Sequence, residues 1–140
     1  RHDQSNERGV PMTPNHELFR LIYQTAEKRE KTFDFLPNAG TQYPFIYIGE
    51  NSAQEARNSD LFGTVNQTVH IYAKTSQRAT LDDISAYLET MVKSISGKWE
   101  YHLQHTTTNK QVIPDNTDVQ PLLHVVLDFT FNFTKKEKDN

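Results

Sequence analysis

Residues 122–134, LLHVVLDFTFNFT, carry the clearest periodic signal in the chain. Leu123, Val125, Leu127, Phe129, Phe131 and Phe133 share one parity; His124, Asp128, Thr130, Asn132 and Thr134 share the other, interrupted only by Val126. Period-two alternation puts the first set on one face of a pleated strand and the second on the opposite face. Three phenylalanines and four β-branched residues in this run argue against a helix. Burying a large apolar side chain contributes roughly 1.5 to 3 kcal/mol, so this face alone can anchor a core. The remainder of the chain is read as what covers that face and what the polar face is for.

Upstream, Thr13-Pro14 is a helix start: Thr13 can cap free amides, and Pro14 occupies the first turn, where its missing N–H costs nothing. Leu18, Leu21, Ile22, Thr25 and Ala26 keep helical spacing, predicting a helix over residues 14–30. Residues 32–42, with Pro37, Asn38 and Gly40, read as a turn-rich connection. Residues 43–50 (YPFIYIGE) and 65–74 (VNQTVHIYAK) read as paired strands, Pro44 lying at the start or on an edge. The polar stretch 51–63 is expected to form a long loop at the tip of that hairpin. Thr80 with Asp83 resembles an acidic capping box, and Leu81, Ile84, Leu88, Met91, Val92 and Ile95 mark one face of a second helix ending near Gly97. Residues 98–106 alternate again, and residues 107–120, with Pro114-Asp115-Asn116, read as a loop. The order is α-β-β-α-β-β, an α+β domain with a four-stranded antiparallel sheet and two helices on one face. Residues 1–12 read as a flexible arm, 13–134 as the single domain, and 135–140 as a charged tail.

Composition narrows the function. With 140 residues the chain suits one domain with a real core, and a mean hydropathy of -0.75 points to large polar surfaces around it. The net charge of -3, from 15 basic and 18 acidic residues, supplies no field to draw DNA or an anionic membrane. No apolar run approaches the length of a membrane span. The chain has no cysteine, which removes disulfides, thiolate metal sites and cysteine nucleophiles. Nothing requires an oxidising compartment, and the reading is intracellular or part of a particle assembled there.

Candidate chemistry is sparse. His102 and His105, three apart on a strand, fall on opposite faces and cannot share an ion without distortion. His70, His102 and His124 all fall on the sheet face away from the helices, with Asp128, but no carboxylate pattern completes a metal site. No glycine-rich phosphate loop or nucleophile elbow is present, and Asp83 is better explained as a cap. The alternating aromatics read as core, since the intervening positions are not basic. No enzyme activity and no cofactor is expected. The polar hairpin tip, with Glu55, Arg57 and Asp60 beside Leu61 and Phe62, has the chemistry of an assembly contact.

Several segments resemble the tail terminator, or tail completion, proteins of long-tailed bacteriophages, which include head-tail joining proteins. The likeness rests on the N-terminal helix, YPFIYIGE at 43–50, DLFGTVNQTVHIYAK at 60–74 and the helix TLDDISAYLETMV at 80–92, and it covers about residues 13–134. The resemblance implies a protomer that closes into a ring, six-membered in this family, on the head-proximal end of the tail tube. Its implied partners are further copies of itself, the tail tube protein and a head connector or completion protein, with no membrane. DNA would enter only as cargo passing through the lumen; six copies at -3 each would line it with acid and let DNA slide. Localisation would be the virion, assembled in the host cytoplasm. The family has no catalytic residues to carry over, and its hairpin loop would reach a neighbouring subunit or the tube. Two alternatives stay open: a head-completion or connector protein of the same particle, and a monomeric ligand-binding domain using His70, His102 or His124.

Overall fold

The structure is a computed structural model that describes residues 12–56, 61–116 and 118–137. Helix α1 (Pro14–Glu27) starts as its sequence dictates: Thr13 is extended, its hydroxyl accepts from the His16 amide at 3.3 Å, and Pro14 opens the first turn. Strand β1 (Thr32–Phe33) follows, then β2 (Phe45–Glu55), β3 (Phe62–Lys74), a 3-10 turn (Thr75–Gln77), α2 (Arg78–Val92), β4 (Tyr101–Asp115) and β5 (Leu122–Lys135). The five strands form one sheet in the order β1-β2-β3-β5-β4. All neighbours are antiparallel except β1, which runs parallel to β2.

The α+β class stands, and the expected four-stranded antiparallel sheet is corrected to a five-stranded mixed one. The extra strand consists of two residues inside a turn-rich segment, too short for any periodicity to announce. It is held by the Tyr23 hydroxyl, which donates to the Thr32 carbonyl at 3.0 Å, and by the Ile46 amide, which donates to the Lys31 carbonyl at 3.0 Å. Both stretches expected to be long loops are largely strand. β2 runs on to Glu55, β3 begins at Phe62, and β4 continues to Asp115. Each of these polar segments gains one ladder of backbone hydrogen bonds, with β3 or with β5, and so runs as strand without burying side chains. The Thr80–Asp83 capping box is also corrected: α2 begins at Arg78 with Gln77 as its cap residue, and both Thr80 and Asp83 lie inside the helix.

Both helices cover the same sheet face. Leu18, Ile22 and Ala26 of α1 and Leu81, Ile84, Leu88 and Val92 of α2 pack on Ile46, Ile48, Val65, Val69, Ile71 and the odd-numbered apolar residues of β5. Phe129, Phe131 and Phe133 are fully buried there. The Tyr87 hydroxyl of α2 donates to the Thr25 carbonyl of α1 at 3.2 Å, tying the helices together.

Glu17, fully buried, fixes the entry to β4. One carboxylate oxygen accepts from the amides of Lys98 and Trp99, both at 2.9 Å, and the other from Glu100 at 2.8 Å and Tyr101 at 3.1 Å. Four consecutive amides thus wrap one side chain, which satisfies donors that have no strand partner. Gly97 permits the wrap, because a Cβ there would lie 1.4 Å from the Tyr101 carbonyl oxygen. These bonds explain why β4 starts at Tyr101 and not at Lys98. Of the expected arm, only Met12 is described: it is buried, and its amide donates to the Glu100 carboxylate at 3.0 Å. Of the expected tail, residues 138–140 lie outside the described residues, and the Lys136 amide donates to the Glu100 carbonyl at 2.9 Å.

Candidate functional site

Two regions carry the residues singled out in the sequence. The first is the sheet face away from the helices. Register places Tyr47 beside His70, and Tyr72 beside His124. His70 Nδ1 and His124 Nε2 are 2.7 Å apart, and His70 Nε2 is 2.9 Å from Glu50 Oε1. The carboxylate can only accept, so His70 presents Nε2–H to Glu50, while the His70 Nδ1–His124 Nε2 contact is a single hydrogen bond whose donor is whichever of the two nitrogens carries the proton. The rings stack as a ladder: Tyr72 lies 4.2 Å from His124 at 14°, and Tyr47 lies 5.3 Å from His70 at 18°.

A bulge delivers Glu50 to this ladder. The β2–β3 register shifts between Ile48 and Asn51, and buried Gln67 fills the irregularity. Its side-chain amide donates to the carbonyls of Gly49, Glu50 and Thr68 at 3.0 to 3.1 Å, and its oxygen accepts from Asn51 Nδ2 at 3.3 Å. Extra residues in a bulge re-aim side chains. Gly49 leaves room for the His70 ring, which would sit 2.9 Å from any Cβ at that position.

Burial, and secondly the neighbouring His70, push the His124 imidazole down to about 4. The hydrogen bond from His70 holds the Glu50 carboxyl below its ordinary value, helped by the backbone amide of Glu50 itself. At the lower end of the same face the Tyr43 hydroxyl donates to Asp118 Oδ2 at 2.8 Å, and burial with this bond raises the phenol to about 12. Both ring nitrogens of His70 are thus engaged by other side chains. The arrangement ties β2, β3 and β5 together.

The other expected face residues lie apart. Asp128 accepts a short hydrogen bond from the Thr68 hydroxyl, and next to it Asn66 Nδ2 donates to Thr130 Oγ1 at 3.0 Å. His102 is exposed opposite Thr134, at the far end of the sheet from the His70–His124 pair. His105 faces the helix side, at 80° against Phe131, so His102 and His105 do not converge. Among the described residues no three His, Asp or Glu side chains are grouped as a metal ion would need. Sequence reasoning missed Glu50, Gln67 and Tyr72; the only available signal was Gly49-Glu50 closing an aromatic run.

The second region is the hairpin tip. Glu55 is exposed at the end of β2, and Leu61 and Phe62 are exposed at the start of β3. Arg57 and Asp60 lie outside the described residues. The Lys135 amide donates to the Leu61 carbonyl at 2.6 Å, so the apolar pair stands on anchored backbone. Leu61 and Phe62, with Thr134, Lys135, Lys136 and Glu137, line an open groove.

Among solved structures, the fold is similar to that of a chain from the virion of a native gene transfer agent (GTA) particle. The likeness has a TM-score of 0.54 at 9% sequence identity and covers 89% of this chain and 96% of that one. At this identity the two share a fold. No protein-family model and no curated protein matches the chain.

Proposed function

We propose that the protein is a structural component of a phage or phage-like virion, and specifically a ring-forming tail terminator that caps the tail tube and joins it to the head. The observation that carries this reading is the fold likeness to a virion chain along nearly the whole of both molecules. The surface is consistent with it: Leu61 and Phe62 stand exposed on anchored backbone, where a neighbouring subunit or the tube can bury them.

In this role the partners are further copies of the chain, six in a ring, with the tail tube protein on one side and a head connector on the other. Each protomer works by contact and carries out no reaction. DNA passes through the lumen, where the acidic excess of the chain keeps it from sticking.

The test is the mass of the purified protein by light scattering over a concentration series, with electron microscopy of the same samples, alone and with tail tubes added. Rings of about six subunits with a central hole, free or seated on tube ends, are the expected result. A protein that stays monomeric at every concentration and leaves tube ends bare overturns the reading.

A further inference from the structure

The sheet has two open borders. Among the described residues, β4 pairs with β5 on one side and with nothing on the other. On the opposite side of the sheet, again among the described residues, β1 pairs with β2 at Ile46 and Tyr47 and no strand pairs with that border of β2 from there to Glu55. Side chains are exposed on both faces over residues 50–55 of β2 and residues 109–114 of β4. A segment bare on both faces and along one border is held by a single ladder, which is weak support in water. Its unpaired N–H and C=O groups are a template for another strand.

The borders match in direction and in height. β2 and β5 run one way, β3 and β4 the other. A second copy set alongside in the same orientation therefore brings its β2 antiparallel to β4. Register carries one rung across the sheet from Thr32 through Ile46, Ile71 and Val125 to Val112. Phe35 and Leu36, just beyond β1, are 60% and 62% exposed; Val112 and Ile113, on the opposite border near the same rung, are 41% and 39% exposed. A higher rung runs from Ser52 through Asn66 and Thr130 to Thr107.

We infer that β4 of one copy pairs antiparallel with the β2 border of a second copy of this chain, with Val112 and Ile113 packing on that copy's Phe35 and Leu36. The pairing satisfies both open edges and removes four exposed apolar side chains from water. Each copy gives one border and receives the other, a heterologous contact that propagates until rotation closes it. This inference rests on the ring reading and names the contact between its subunits.

The absence of cysteine makes the contact directly testable. Ser52→Cys is combined in turn with Gln104→Cys, Thr107→Cys and Asn109→Cys. All four positions are exposed and on the sheet face away from the helices, and the three β4 positions span register offsets around the matching rung. Mild oxidation of at least one double variant, alone or on tail tubes, is expected to give a ladder of covalent multimers, while single variants stop at dimers. Ile113→Glu in that background should abolish the ladder with an unchanged melting temperature. Rings seen by microscopy that never cross-link overturn the edge pairing and leave the terminator reading standing. Covalent ladders in open filaments keep the edge pairing and overturn the ring. Monomers without a ladder under every condition overturn both.

Discussion

His70 Nδ1 lies 2.7 Å from His124 Nε2, and the pair is linked to Glu50 through the other nitrogen of His70. Two imidazoles this close share a hydrogen bond only while at least one acceptor nitrogen is free of a proton. That requirement sets an acid limit on the sheet.

The sign follows from the shifted groups. His124 is held neutral down to about 4, below its ordinary 6.5, so the unfolded chain takes up a proton first as pH falls between those values. Stability is therefore full above about 6.5 and declines as pH drops towards 4. Glu50, lowered by its bond to His70, acts in the same direction once the unfolded carboxyl begins to protonate near 4.5. With His124 only half-buried, the loss attributable to it is on the order of 1 to 2 kcal/mol after allowance for solvent screening. Thermal melts from pH 7 to pH 4 should show this decline, and His124→Gln should flatten it. An equal slope in the variant would mean that the histidine pair does not set the acid limit.

Gln67 governs whether Glu50 reaches that pair at all. Replacing it with leucine leaves three carbonyls, of Gly49, Glu50 and Thr68, without their shared donor. Buried unsatisfied groups cost about 1 to 3 kcal/mol, so Gln67→Leu should destabilise the fold by about 2 kcal/mol. It should also relax the bulge and free Glu50, so that the carboxyl titrates nearer its ordinary value by NMR. A stable variant with an unchanged Glu50 titration would show that the backbone alone sets the bulge.

Glu17 is the corresponding device at the other end of the sheet. Glu17→Gln keeps the shape but turns an NH2 group towards two of the four amides that now meet carboxylate oxygens. Setting donors against donors in a buried place should cost about 3 kcal/mol, seen as a lower urea midpoint with an unchanged slope. Gly97→Ala should do comparable damage, because its methyl would collide with the Tyr101 carbonyl. Wild-type midpoints in both variants would mean that the turn re-forms without the carboxylate.

Period-two and helical spacing located the two helices, four of the strands and the buried face, because burial imposes a pattern on side chains. The alternation of Leu123 to Phe133 is that pattern in pure form. Ser52, Thr107 and Asn109 lie in strand without any such pattern, since both their faces meet water and the backbone ladder does not care which polar residue it carries. His70 and His124 were legible as residents of one face, but their meeting depends on the β3–β5 register, and Glu50 joins them through a bulge. Glu17 gave no sign of its burial: on a helical wheel it is one more first-turn acid.

The hairpin tip offers the most direct functional variant. Phe62 is 46% exposed, its neighbour Leu61 has its carbonyl pinned by the Lys135 amide, and the two line one groove. Phe62→Ser removes the exposed part of the ring together with the part packed against the monomer, so the folded protein should lose no more than about 1 to 2 kcal/mol. If a subunit or the tail tube buries that ring, losing it should weaken association by at least tenfold, about 1.4 kcal/mol. Co-sedimentation with tail tubes reads the second quantity and thermal melting the first. A loss of stability well beyond that, with association weakened only as far as unfolding explains, would assign Phe62 to the fold. Unchanged association would remove the tip from the assembly surface and leave the two sheet borders to carry it.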